Sequence, residues 1–86
     1  MNPYVNVPTA VFAMKLSPTA LMLYCFLGAW SENEKAPTIR QMASLLSLNK
    51  DTVVRGIGEL EDKKLIVKYT RGTHSEYIWL GDAEND

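Results

Sequence analysis

Apolar residues follow three rhythms along the 86-residue chain: a nearly unbroken run from Ala20 to Trp30, helical spacing from Ile39 to Leu60, and two β-branched and aromatic runs between Leu65 and Leu80. Ser17-Pro18 supplies an N-cap followed by proline at the first helical position, where a missing N–H costs nothing. A helix is therefore predicted from Pro18 to about Trp30. Ahead of it, Pro3 and the alternating Val5 and Val7 suggest a short extended arm, residues 1–16, in which Pro8 opens one helical turn through Met14.

The polar stretch Ser31 to Pro37 reads as a loop. Thr38 and Gln41 then have capping-box spacing, and Ile39, Met42, Ala43 and Leu46 fall on one helical face, predicting a short helix from about Ile39 to Leu46. Asn49 caps the next helix, with Asp51 suited to the positive end of its dipole. Its inward stripe is Val53, Ile57 and Leu60, whereas Lys50, Thr52, Arg55, Glu59 and Asp62 face elsewhere, and Lys63-Lys64 close it. From Leu65 the pattern becomes a hairpin: Leu65 to Thr70, a polar turn Arg71 to Ser75, and Glu76 to Leu80. Residues 81–86 form an acidic tail expected to fray.

Helix, tight turn, helix and hairpin, with an apolar helix in front, give a mainly α fold with a small β-hairpin (α+β) over residues 17–80. Ala43 is small where two helices must cross, Leu48 can plug the turn, and Val53 seals the following helix. The segment IRQMASLLSLNKDTVVRGIGELEDKKLIV resembles a winged helix-turn-helix, a three-helix core with a two-stranded wing. The chain in front, with Val7-Pro8 and Leu16-Ser17 opening an apolar helix that ends in aromatics, resembles the start of the winged-helix domains of phage and plasmid replication initiators and replisome organisers. One departure stands out: Ser47 occupies the turn position where such motifs usually carry glycine. The resemblance implies double-stranded DNA binding, with a recognition helix at about 50–63 in the major groove and a wing at about 65–80 on the flanking backbone. The role would be replication initiation or transcription regulation, with other replication proteins as partners. The other reading is a protein-interaction winged helix in a replication or partition assembly.

Charge bears on that choice. The net value of −1 conceals a neutral stretch over 1–37 and a −4 stretch over 75–86. Between them, Arg40, Lys50, Arg55, Lys63, Lys64, Lys68 and Arg71 against Asp51, Glu59, Glu61 and Asp62 leave +3. Asn49, Lys50, Thr52 and Arg55 occupy the outward amino-terminal positions of the recognition helix. Arg55 suits bidentate bonding to guanine, Asn49 suits adenine unless the cap uses it up, and Val54 suits a thymine methyl or a protein contact. Lys50 and Thr52 suit phosphate. In the wing Lys68, Arg71 and His74 cluster about the turn as phosphate contacts, and Arg40 is a further backbone contact. Tyr69, Tyr77 and Trp79 alternate within strands and read as hairpin packing. Gly56 and Gly58, inside the recognition helix, each cost about 1 kcal/mol against alanine. They reflect close packing on the first helix, room for a DNA backbone, or a less regular helix.

Composition narrows the classes. One cysteine, Cys25, and one histidine, His74, provide neither a disulfide nor a zinc site. No Ser/His/Asp, Cys/His or phosphate-cradling glycine motif occurs, so neither an enzyme nor a cofactor is expected, and Cys25 reads as a small core residue. The eleven-residue apolar run is too short for a membrane span, and no basic segment precedes it as in a signal peptide, which points to the cytoplasm. The helix 18–30 is apolar nearly all round. Its excess surface predicts a homodimer through Val11, Phe12, Met22, Phe26 and Trp30.

Overall fold

The computed structural model describes residues 4–30, 36–72 and 74–79, apart from the side chains of Arg71, His74 and Ser75. Its elements are α1 (Thr9–Ala13), α2 (Pro18–Ala29), α3 (Ile39–Leu46), α4 (Lys50–Asp62), β1 (Ile66–Arg71) and β2 (His74–Trp79), and the two strands form one antiparallel sheet. This is a winged helix-turn-helix α+β fold. The acidic tail 81–86 and most of the loop before Pro37 lie outside the described residues.

Each long helix starts where its capping chemistry dictates. Ser17 Oγ accepts from the Ala20 N–H at 3.1 Å. Thr38 and Gln41 form the reciprocal capping box, with Gln41 N–H donating to Thr38 Oγ1 at 3.0 Å and Thr38 N–H to Gln41 Oε1 at 2.9 Å. Asn49 Oδ1 accepts from the Thr52 N–H at 2.9 Å. Such caps satisfy backbone donors that the helix itself leaves without partners.

The ends of α3 and α4 share a second device. Ser47 (φ 56°) and Lys64 (φ 60°) adopt the left-handed conformation just past each helix. The next residue then folds its N–H back to the last turn: Leu48 to Ala43 O at 2.8 Å and Leu65 to Leu60 O at 3.0 Å. This is the Schellman arrangement, normally built on glycine. The sharp turn required after α3 is therefore made with serine, at a conformational cost of about 1–2 kcal/mol.

Val11, Ala20, Leu23, Tyr24, Leu27, Met42, Ala43, Val53, Ile57, Leu60, Leu65 and Ile66 form the core. Val53, Ile57 and Leu60 are the stripe predicted for α4. The helices α2 and α4 cross closely at Gly56, where an added Cβ would lie 2.5 Å from Leu23 Cδ1 and 3.7 Å from the Ala20 Cα. Close packing thus accounts for Gly56. It does not account for Gly58, whose added Cβ would meet nothing within 4 Å. The irregular-helix explanation falls for both, since α4 is continuous from Lys50 to Asp62.

Three expectations are corrected. Val11 is buried at 2% exposure, so the core takes up a side chain assigned to a dimer face. With Val7, Met14 and Leu16 also packed against the core, the arm covers part of the apolar surface around α2. The wing turn is shorter than the five residues expected, because the ladder continues to an Arg71–His74 rung and leaves only Gly72 and residue 73 beyond it. Gly72 takes φ +56°, which suits so tight a connection. Glu59, expected only to face away from the inward stripe of α4, instead accepts from Ser17 N at 2.7 Å and Ser17 Oγ at 2.8 Å, tying α4 to the start of α2 across 42 residues of sequence.

Candidate nucleic-acid interface

Because Val53, Gly56, Ile57 and Leu60 hold one side of α4 in the core, the opposite side is fixed outward. Lys50, Asp51, Val54, Arg55, Glu61 and Asp62 are exposed there. The first two turns carry Lys50 and Arg55 against Asp51, and the last turn carries Glu61 and Asp62. Net positive charge on this helix is therefore confined to its amino-terminal half, next to the tight turn Ser47-Leu48-Asn49.

Two of the four candidate recognition residues are engaged locally. Asn49 Oδ1 accepts both the Thr52 N–H at 2.9 Å and the Thr52 hydroxyl proton at 2.8 Å. The proviso attached to Asn49 therefore applies: the cap consumes its acceptor. Lys50 and Arg55 remain as exposed cations on the same helix, and Arg40 is exposed on α3.

On the wing, register alternates side chains between two faces. Ile66 pairs with Trp79 and Lys68 with Tyr77, so these four share one face, while Val67, Tyr69, Ile78 and Glu76 share the other. The inner end of the first face packs on the helices. Trp79 lies over Tyr24, with ring centroids 5.0 Å apart, and against Gly28, where an added Cβ would come within 2.6 Å of the indole. Lys68 is exposed further along that face. Arg71 and His74 pair on the last rung, three positions along the ladder from the Lys68–Tyr77 rung. The side chains of Arg71 and His74 lie outside those described. Trp79 and Tyr77 are half-buried as packing residues, whereas Tyr69 is 52% exposed.

Of the expected partner face, Phe12 and Met22 are exposed at 62% and 40%, while Phe26 and Trp30 are half-buried with rings 5.3 Å apart. Burial pushes the Cys25 thiol above its ordinary value, which disfavours the nucleophilic thiolate. Burial, seconded by the nearby Glu61 charge, likewise pushes the Tyr77 phenol up. The hydrogen bonds from the Ser17 backbone and then its hydroxyl hold Glu59 below the usual carboxylate range, with Lys63 assisting and desolvation opposing. Among the described residues no group of His, Cys, Asp and Glu could hold a metal ion, and no helix is long and apolar enough to cross a membrane.

A helix seated on a second helix through a three-residue turn, with outward cations on its first turns and a hairpin beside it, defines the winged helix-turn-helix class. Residues 15–66, more than half of the chain, match the helix-turn-helix domain family, and the chain belongs to it. That family is in general a DNA-binding one and typically non-enzymatic. The chain matches no curated protein and no solved structure.

Two features of this helix start carry little signal in the sequence. One is the Thr52 hydroxyl bond that closes the cap, visible in sequence only as the ordinary Asn-x-x-Thr spacing. The other is the exposure of Asp51 between the two cations, which its value to the helix dipole had obscured.

Proposed function

We propose that this domain binds double-stranded DNA with the amino-terminal half of α4 in the major groove and the wing on the flanking sugar–phosphate backbone. The observation that carries this reading is the orientation of α4 in a helix-turn-helix family member: its core stripe is locked, and Lys50, Val54 and Arg55 are turned outward beside the tight turn. Arg55 donates to a guanine edge, while Lys50, Arg40 and Lys68 meet phosphates. Arg71 and His74 extend the wing contact at its tip. Thr52 and Asn49 serve the interface through the cap that fixes the start of α4. No cofactor enters this function.

The likeness of the amino-terminal region to phage and plasmid replication initiators favours a replication origin as the duplex, with other replication proteins nearby in the cytoplasm; an operator for transcription regulation is the neighbouring role. Two copies joined through Phe12, Met22, Phe26 and Trp30 would present two recognition helices to successive major grooves. The exposed Leu45, Tyr69 and Ile78 favour a second reading, in which the fold docks on another protein of a replication or partition assembly without reading DNA.

Fluorescence anisotropy with labelled random duplex across a salt series separates the two. The DNA reading expects binding that weakens steeply with salt, and a Lys50→Ala slope shallower by about one unit. Absence of binding even at low salt would leave the protein-docking reading.

A further inference from the structure

The closed cap changes which residues can read bases. Thr52 N–H can only donate, so the amide atom facing it must be the Asn49 oxygen, and that oxygen also takes the Thr52 hydroxyl proton. Asn49 is left with N–H donors alone. Bidentate recognition of adenine needs an acceptor for the N6 amine and a donor for N7 on the same amide, so it is lost at this position.

The exposed chemistry of the first two turns is then Lys50, Asp51, Val54 and Arg55. Three of these offer only donors or methyl groups. The carboxylate of Asp51 is the acceptor among them. Asp51 and Arg55 stand four residues apart on one helix row, about 6 Å along the helix axis, far enough apart to face different base pairs. A carboxylate aimed at phosphate opposes binding, whereas one aimed at an exocyclic amine complements it.

Resting on the reading that α4 faces duplex DNA, we infer that Asp51 and Arg55 are its specificity-determining residues. Asp51 accepts from the N4 amine of a cytosine, and Arg55 donates to O6 and N7 of a guanine in a different base pair. Val54, between them in sequence and 55% exposed, lies against a thymine methyl where one is present. Asn49 and Thr52 hold the helix start and read no base.

The test is selection of binding sites from a random duplex pool by the wild-type chain, Asp51→Asn, Arg55→Lys and Asn49→Ser, with thermal melting to verify that each variant is folded. The wild type should enrich a motif with fixed cytosine and guanine positions. Asp51→Asn should bind random duplex more tightly, having lost a negative charge, yet lose the cytosine preference by about tenfold while keeping the guanine. Arg55→Lys should do the converse, and Asn49→Ser, which keeps a capping oxygen, should select the wild-type motif. A uniform gain in affinity for Asp51→Asn with an unchanged motif would show that Asp51 serves only the helix dipole and would overturn the inference. So would loss of an adenine position in Asn49→Ser, or a wild type that binds without enriching any motif; both leave the DNA-binding reading standing. Failure of the wild type to bind any duplex would remove that reading and the inference with it.

Discussion

At the scale of single residues, the two glycines of α4 divide cleanly. Gly56 is where α2 passes, and a methyl group there would press into Leu23. Gly56→Ala is expected to destabilise the fold by up to about 2 kcal/mol, overpacking of about 1–3 kcal/mol being set against about 1 kcal/mol of helix propensity. Gly58 has open space at its Cβ position, so Gly58→Ala should gain about 1 kcal/mol of helix propensity. Chemical denaturation of the two variants should therefore shift the midpoint in opposite directions. Ser47 supplies a third case: glycine at its left-handed φ of 56° should stabilise the domain by up to about 1 kcal/mol, measured in the same way. From sequence, Ser47 could be flagged as out of place, but the glycines could not be sorted, because what each faces depends on a helix about thirty residues away.

At the scale of elements, the Ser17–Glu59 contact couples two helix faces through one carboxylate. Folding lowers the pKa of Glu59, so its contribution is present above the unfolded-state value of about 4.3 and is lost as pH falls through the lower folded-state value. Glu59→Gln should lower the melting temperature at pH 7, and the wild-type and variant curves should converge as the pH falls below the unfolded-state value and through the lower folded-state one. Parallel curves across the whole range would mean that the carboxylate charge contributes nothing. Element boundaries were legible in the sequence wherever a cap announced them: Ser17-Pro18, Thr38 with Gln41, and Asn49 all mark observed helix starts. The wing turn is not legible in the same way, because Arg71 and His74 are polar and suggest a loop, yet cross-strand pairing carries both into the ladder. The Glu59 link was hidden for a related reason, since spacing along a helix says nothing of a partner 42 residues away.

At the scale of the whole molecule, the net charge of −1 coexists with exposed cations on α3, on the first turns of α4 and on β1. Lys50 and Arg55 stand outward on the first turns of α4, while Glu61 and Asp62 on its last turn are balanced by Lys63 and Lys64 just beyond it. The orientation of α4 followed from its stripe of Val53, Ile57 and Leu60, so the outward position of Arg55 could be read from sequence. The loss of the Asn49 acceptor could not, because it depends on where a hydroxyl proton goes. The proposed partner surface is narrower than the apolar pattern implied, with Val11 withdrawn into the core and Phe12 and Met22 left exposed. If two copies join there, Phe12→Ser with Met22→Ser should shift sedimentation to a single 9.7 kDa species without loss of helical signal.

Whether the amino-terminal half of α4 faces duplex DNA is read residue by residue in a chemical-shift titration of the labelled domain with a short duplex. The amides of residues 49–55 should shift most, followed by Arg40 and the strand around Lys68, with those of α1 and the Met22 side of α2 unchanged at low protein concentration. Shifts confined to α1 and α2, or none at low salt, would contradict the account.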